Sequence, residues 1–390
     1  MPKVDEVVEC EVARSFAVDQ AAGMFDVKLE EKSRTRIRGE LPGLDEDWVI
    51  GAVIGPSGSG KGTVTRAVYG DDFLEVRENK ATPFEWDKAK AIVDGFGDAP
   101  LQEVTALLGS VGLATPPAWV RPYAALSTGQ RFRADLARAL MLDRELVAFD
   151  EFGGTVSEDV ANVCAATVAK TVRKGRSRCR RFVAVGARDN FVDWLGPDWV
   201  LDMSRQPGVL EWRARGRVRP PGSAKPQAAG GSSGGGGRPG VDFEVRRCGR
   251  EAWPMFAAHH YLSGSLVVGA KCYVARVKPA GAADWSVAGF CATAQNPGHV
   301  GYRRIHRLVV LPDWQGLGIG GRLLDAVAAV EAVRSKVSIT TSHPALMNVL
   351  GRSDRWRLSS QTKGWSKQTN KKIVGGGSFG RVVASFRWVG

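Results

Sequence analysis

Apolar positions fall in short blocks along the chain, and the blocks change period. Trp48–Ile54 is a continuous apolar run of strand length, as burial on both faces would require. A turn rich in Gly and Ser follows, and Val64–Tyr69 then starts a helix. Leu101, Val104, Leu107, Leu108 and Val111 recur at helical spacing. Glu145–Phe149, Phe182–Gly186 and Trp199–Met203 read as further strands. Near the start, Val4–Val27 alternates enough to predict two short strands around Gln20–Gly23, Thr35–Leu41 is another strand, and Ala91–Gly97 is a turn or short strand. Beyond residue 240, Val241–Arg247 alternates as a strand and Glu251–Leu262 reads as a helix. Ala270–Val277 and Trp285–Thr293 form a hairpin, and Arg303–Leu311 is a strand. A long amphipathic helix follows with Leu323, Leu324, Val327 and Val330 on its apolar face. Val337–Thr341, Pro344–Leu350 and Arg381–Val389 complete the pattern as strand, short helix and late strand. Strands alternating with helices predict the α/β class. Arg213–Gly240 is rich in Pro, Gly and Arg, cannot bury a core, and reads as a flexible tether. The expected organisation is 1–213, a linker 214–240, and 241–390.

Composition narrows the setting. The 390 residues are 44% hydrophobic and 24% charged, which suits a globular chain. No apolar run approaches the roughly 18 residues of a membrane helix. Met1–Glu11 carries acids and no signal-peptide core, so the expected location is cytoplasmic, away from any membrane. Six cysteines (Cys10, Cys164, Cys179, Cys248, Cys272, Cys291) are scattered without a Cys-x-x-Cys pair, which suggests neither a zinc site nor a disulfide framework. A net charge of +13 favours anionic partners such as nucleic acid, nucleotides or CoA, beside the plainer reading that it aids solubility.

The turn after Ile54 is Gly55-Pro56-Ser57-Gly58-Ser59-Gly60-Lys61-Gly62-Thr63. Between a strand and a helix this is a phosphate-binding loop: glycines let the backbone N–H groups turn inward, and Lys61 reaches the β- and γ-phosphates. Gly55, Ser57, Gly58, Gly60, Lys61, Gly62 and Thr63 are the expected nucleotide contacts. The motif departs at Gly62, where a Ser or Thr hydroxyl would ligate Mg²⁺; Thr63 comes one place late. Further on, Leu126-Ser127-Thr128-Gly129-Gln130 opens a helix whose polar side is expected to carry Arg131, Arg133 and Arg138, and Ser127, Gly129 and Gln130 form a second anion site. Then an apolar strand ends in Asp150 and Glu151, a metal carboxylate and a residue able to polarise the attacking water. These three motifs, in this order over about residues 5–212, resemble the ATP-binding cassette (ABC) ATPases. The resemblance implies a head-to-tail homodimer in which Ser127 and Gly129 of one subunit cap ATP bound at Lys61 of the other. It also implies an aromatic upstream to stack on adenine, for which Phe16 and Phe25 stand beside the plainer reading of core residues. Departures are a short interval between Lys61 and Ser127, Gln102 in a helical pattern where a glutamine loop is wanted, and Arg188 in place of a switch histidine. Arg188 keeps a positive charge but cannot shuttle a proton. Slow turnover or an ATP-gated clamp is therefore expected.

In the second half, Pro312-Asp313-Trp314-Gln315-Gly316-Leu317-Gly318-Ile319-Gly320-Gly321 joins a strand to the long helix. It resembles the Q/R-x-x-G-x-G/A loop of the GNAT N-acetyltransferases, with Gln315, Gly318 and Gly320 matching, over about residues 241–390. The resemblance implies a pyrophosphate of acetyl-CoA on Gln315, Gly316, Gly318, Gly320 and Gly321, and a pantetheine arm along the backbone of Val309 and Val310. The tyrosine that the family often uses as general acid has no counterpart after Tyr302. His343, Ser342 and the run His259-His260-Tyr261 are substitutes, each also readable as structural. The stretch 259–264, His-His-Tyr-Leu-Ser-Gly, resembles phage Mom-type DNA-modifying GNATs, which makes a mobile-element origin an expectation.

The basic tail interleaves Arg352, Arg355, Arg357, Lys363, Lys367, Lys371, Lys372, Arg381 and Arg387 with Trp356, Trp365, Phe379 and Trp388. That suits a nucleic-acid surface, against the plainer reading of aromatic sheet core and solvated cations. A second basic run is Arg173–Arg181. The expected protein is an ATP- and Mg²⁺-dependent, acetyl-CoA-using N-acyltransferase whose amine acceptor includes a nucleic-acid base among the options. The alternative is an ATP-switched nucleic-acid-binding or regulatory protein whose GNAT fold senses acyl-CoA.

Overall fold

The computed structural model describes residues 1–11, 13–25, 32–76, 82–213, 240–260, 265–280, 283–296, 299–363 and 382–390. The fold is mixed α/β, as expected, and its contacts divide the chain into two units. The first unit takes Met1–Pro83, Leu142–Thr155 and Arg178–Gly237; the second takes Phe84–Met141, Val156–Ser177 and Arg238–Gly390. Most of the expected tether, 214–239, lies outside the described residues.

The first unit begins with β1 (Lys3–Glu11) and α1 (Phe16–Phe25); β1 pairs antiparallel with β2 (Lys32–Glu40). Of the two short strands expected within Val4–Val27, the first is present as β1, whereas the stretch about Gln20–Gly23 is helical, in α1. It buries none of its residues, and Phe16 and Phe25 are 84% and 76% exposed, so neither is a core residue. A six-stranded sheet follows, in the order β4 (Phe73–Leu74), β5 (Leu146–Phe149), β6 (Arg181–Gly186), β3 (Ile50–Ile54), β7 (Trp199–Asp202) and β8 (Val209–Trp212). All neighbours are parallel except β7 and β8. Central parallel strands are covered on both faces, which explains the unbroken apolar runs of β3, β5 and β6. Val53, Val64, Trp48, Leu146, Val183 and Trp199 share this core with Ile37 of β2. The helix after β3 is α2 (Lys61–Tyr69), and α7 (Val192–Leu195) precedes β7.

The second unit joins a helical group to a larger sheet. The group comprises α3 (Leu101–Ser110), α4 (Pro116–Trp119), α5 (Thr128–Leu140) and α6 (Glu158–Arg173). Ala91–Gly97, expected as turn or strand, contains a 3-10 helix at Ile92–Phe96. Helix α5 starts at a capping box: Ser127 Oγ accepts from Gln130 N–H and Gln130 Oε1 accepts from Ser127 N–H. Buried Asp135 on α5 is satisfied by Trp86 Nε1–H at 2.7 Å and Tyr123 O–H at 2.6 Å.

The sheet has seven strands, β14 (Trp356–Lys363), β15 (Val382–Trp388), β13 (Lys336–Thr341), β12 (Tyr302–Val310), β11 (Ser286–Gln295), β10 (Lys271–Pro279) and β9 (Val241–Cys248), in that spatial order. Only β12 and β13 are parallel. The expected helix 251–262 is shorter, a 3-10 turn followed by α8 (Trp253–Ala257). Helix α9 (Ile319–Ala332) buries Ile319, Leu323, Leu324, Val327 and Ala328, each large side chain contributing about 2 kcal/mol. Val330, expected on the same face, is 61% exposed. After β13 comes α10 (Pro344–Gly351). Strand β14 falls in the basic tail and has no counterpart in the sequence reading. Trp356 is 4% exposed and meets Trp388 edge-on at 5.2 Å, so this part of the tail is sheet core and not a stacking platform. Trp365, Lys367, Lys371, Lys372, Phe379 and Arg381 lie outside the described residues. Among the described residues, no helix is long and apolar enough to cross a membrane.

Candidate functional site

Two sites emerge, one in each unit. In the first, β3 delivers the chain into the loop Gly55–Gly60, and α2 begins at Lys61. Gly60 turns the loop into the helix with φ of 89°, and a Cβ there would stand 2.5 Å from Ile37 Cγ2. Both conformation and space therefore demand glycine. Lys61 Nζ donates to the carbonyls of Gly55 and Pro56 at 2.8 Å each. Burial pushes its ammonium below the usual lysine range, and the Glu151 and Asp150 carboxylates oppose that shift. Ser59 Oγ, in the middle of the loop, is buried with no hydrogen-bond partner. An orphaned buried hydroxyl in the loop fits a polar ligand held there. Ser57 and Gly58 are exposed at the loop tip. Gly62 lies in the first turn of α2, and a Cβ there would meet Phe73 at an ordinary 3.6 Å. Thr63 follows on the helix, half-buried.

Strand β5 leads directly into Asp150, whose carboxyl burial pushes up to about 6. Glu151 follows with φ of 52°, a left-handed conformation that costs a side-chain-bearing residue energy. A half-buried carboxylate near a half-buried lysine suits a divalent cation with nucleotide phosphates, with Asp150 as holder; Gly62 supplies no second side-chain ligand. Arg188 is exposed after β6. Gln102 is exposed on α3.

The second site lies at the end of the seven-stranded sheet. Strands β12 and β13 pair only from Tyr302–Lys336 to Ile305–Ile339; β12 then runs on to Val310 without β13 beside it. Two parallel strands that part leave a cleft with backbone groups of β12 facing it. A register shift in β12 against β11 falls at His306, which stands out of the ladder. The chain then turns through Pro312–Gly318 into α9. Gly316 and Gly318 have φ of 92° and 80°, and a Cβ on Gly316 would lie 2.6 Å from Thr167 on α6. Gly318 caps α9 with open space around it, while Gly320 and Gly321 lie in the first turn. The amides of that turn have no carbonyl inside the helix, and such a helix N-terminus attracts anions.

The expected side-chain ligand Gln315 is 8% exposed and fully engaged. Its Nε2–H donates to Val310 O at 2.9 Å, and its Oε1 accepts from Ala114 N–H at 2.9 Å. His343, at the N-terminal end of α10, donates from Nε2 to Ala114 O at 2.9 Å and lies against Trp119. A carbonyl only accepts, so this bond fixes the proton on Nε2. His259 and His260 follow α8, with His260 edge-on to Trp253 at 5.8 Å. Tyr261 lies outside the described residues. Burial, then Arg307, Arg304 and His260, bring His306 down to about 4, and its Nε2 accepts from Val267 N–H.

Arg133 is a functional candidate that the sequence reading misplaces. Expected on the polar side of α5, it is 1% exposed and donates to Pro312 O at 2.9 Å, with Asp313 Oδ1 at 3.6 Å. A signal existed: two residues turn a helix by about 200°, so Arg131 and Arg133 point apart.

Residues 269–350 match the family model described as an acetyltransferase (GNAT) domain. No curated protein matches the chain. Among solved structures, an IAA acetyltransferase from Bacillus cereus is similar at 20% identity, covering 38% of this chain and 99% of that one, with a TM-score of 0.28. A Bacillus subtilis acetyltransferase in complex with CoA is similar at 16% identity over 38% and 98%, TM-score 0.28. A dimeric ATP-binding cassette in a post-hydrolysis state, bound to ADP and Pi, is similar at 13% identity over 47% and 94%, TM-score 0.35. The parted strands and the glycine turn both lie within residues 269–350, the stretch that matches the GNAT acetyltransferase model.

Proposed function

We propose that this protein is an acyl-CoA-dependent N-acyltransferase controlled by ATP bound at the Lys61 loop. The observation that carries the reading is the parting of β12 and β13 beside the left-handed turn Gly316–Gly318 at the head of α9, inside the GNAT-matched region. The backbone amides of Gly318, Gly320 and Gly321 would take the pyrophosphate, and the freed edge of β12 at Val309 and Val310 would align the thioester. The acyl-CoA supplies an electrophilic thioester carbonyl; the attacking amine would form the amide bond and lose a proton, and the C–S bond would break to release CoA as a thiolate that takes a proton up. His343, once free of its carbonyl bond, is the base nearest the mouth of the cleft in chain terms, following directly on β13. His259 and His260 remain secondary candidates.

In the first unit, Lys61 and the loop amides would hold ATP, and Asp150 would hold Mg²⁺ directly or through water. That ion would neutralise charge on the terminal phosphates. Glu151 would orient water. The missing hydroxyl at Gly62 supports slow hydrolysis. Ser127 and Gly129 would close on a nucleotide held by a second copy of the chain, making a homodimer. A nucleic-acid base as acceptor is the finer part of the proposal, supported by the net charge of +13 and by exposed Arg352, Arg355 and Arg357. The second reading, an ATP-switched regulator that senses acyl-CoA, is favoured by one observation: His343 and Gln315 are both engaged by Ala114.

Isothermal calorimetry with acetyl-CoA tests the site. The wild-type chain is expected to bind. Gly318→Glu, which adds a like charge at a positive φ, is expected to abolish binding while the fold persists. Equal binding by the variant would refute the assignment of the turn.

A further inference from the structure

Three hydrogen bonds form a bridge across the mouth of the acyl-transfer cleft. Val310 O, at the end of β12, accepts from Gln315 Nε2–H; Gln315 Oε1 accepts from Ala114 N–H; Ala114 O accepts from His343 Nε2–H, just beyond β13. The middle member belongs to the helical group, between α3 and α4. Both backbone polar groups of one alanine thus join the two strands where they part. The surroundings are close-packed. Gly112 and Gly316 face each other's strand of chain so tightly that a Cβ on Gly112 would lie 3.1 Å from Gln315 O, and one on Gly316 3.1 Å from Ser110 O. Val163 of α6 is buried in the same core as Leu323 and Trp314.

We propose that the turn Gly112–Thr115 is a latch on the acyl-transfer cleft, and that it is released through α5 when nucleotide engages the Ser127–Gln130 turn. The proposal rests on the acyltransferase reading of the cleft. In the latched state His343 Nε2 carries its proton to Ala114 O and cannot accept one from an amine. Gln315 holds the pyrophosphate turn through a contact with Ala114 that has nothing to do with phosphate. Helix α5 reaches the same turn from its other side. Arg133 donates to Pro312 O and to Gly129 O, so one buried guanidinium touches the cofactor turn and the turn that opens α5. Displacement of Ser127–Gly129 therefore pulls on Pro312, three residues from Gln315. A buried cation with few partners holds its geometry tightly, because each bond lost leaves desolvated charge behind. By linkage, ATP and acyl-CoA then change each other's affinity by one common factor, expected at about five-fold or more.

Hydrogen–deuterium exchange on the full-length protein, alone and with AMP-PNP, acetyl-CoA or both, is the test. Peptides spanning 111–119 and 341–347 are expected to be protected in the free protein and to exchange faster with either ligand. Calorimetry in parallel is expected to give tighter acetyl-CoA binding with AMP-PNP. Ala114→Pro, which deletes the donor to Gln315, is expected to bind acetyl-CoA without nucleotide as tightly as the nucleotide-bound wild type. Should that variant fail to fold, Asp313→Ala, which loosens exposed Asp313 from Arg133, is expected to shrink the AMP-PNP effect. Acetyl-CoA binding with unchanged exchange at 111–119 and no nucleotide effect overturns the latch and leaves the acyltransferase reading standing. No acetyl-CoA binding by wild type or Ala114→Pro overturns both.

Discussion

Gly62 is the single residue expected to limit the rate of the proposed nucleotide site. Gly62 omits the side chain that would meet Mg²⁺, although the space for one is open, with Phe73 3.6 Å from the position of a Cβ. Gly62→Ser is expected to raise Mg²⁺-dependent ATP hydrolysis by roughly ten-fold or more, since a properly held metal is worth several kcal/mol of charge stabilisation. It should not lower thermal stability, because serine is the better helix former. Steady-state phosphate release at matched Mg²⁺ checks this; an unchanged or lower rate would show that the defect lies elsewhere. His306 sets a pH dependence. Its folded pKa is near 4, below the usual 6.5, because burial and the neighbours Arg307, Arg304 and His260 disfavour the charge. Such a group leaves stability intact above 6.5 and removes it as pH falls from there towards 4, when the unfolded chain takes up the proton first. Urea midpoints at pH 7 and pH 5 are expected to differ, and to differ less in His306→Gln.

Whole elements are held by a few polar contacts at their ends. Helix α9 is tied to three strands by Glu331, which is 3% exposed and accepts from Lys271 Nζ, Tyr273 O–H and Thr293 Oγ1, with Arg303 Nε at 3.2 Å. Removing the carboxylate would leave buried donors and cations unpaired. Glu331→Ala is expected to cost about 3 kcal/mol in chemical denaturation, the range for breaking a buried pair. A loss near zero would mean that the cations reach water. The elements also show what periodicity can reveal. The strand–loop–helix at Lys61 and the capped helix at Ser127 are legible because their signals are local: an apolar run, a glycine turn, Ser three residues before Gln. Strand β14 is not legible, because Trp356-Arg357-Leu358-Ser359-Ser360 carries a basic, polar pattern and its burial comes from β15, in another part of the chain. Helix α1 is not legible for a different reason: it buries nothing, so no periodic face marks it. The candidate site divides the same way. Its glycine turns are visible in sequence, whereas Ala114 and its bonds to Gln315 and His343 join residues more than 200 positions apart and leave no local trace.

At the scale of the molecule, the proposed mechanism couples nucleotide state to acyl transfer. The contacts place the helical group in one unit with residues 269–350, and Val163 of α6 shares a core with Trp314 of the cofactor turn. The homodimer implied by the cassette motifs is expected to form only with bound nucleotide: Glu151→Gln, which slows hydrolysis, should sediment as a dimer with ATP and as a monomer without it. A nucleotide-independent state would remove the dimer from the mechanism. The central claim is acyl transfer itself. Its most direct test is the transfer of radiolabel from acetyl-CoA to a panel of acceptors, polyamine, lysine peptide, duplex DNA, single-stranded DNA and tRNA, with and without ATP. Label is expected on one amine class, stimulated by ATP and lost in Gly318→Glu. Tight acetyl-CoA binding with no label on any acceptor, in either nucleotide state, would contradict it and leave a CoA-sensing switch.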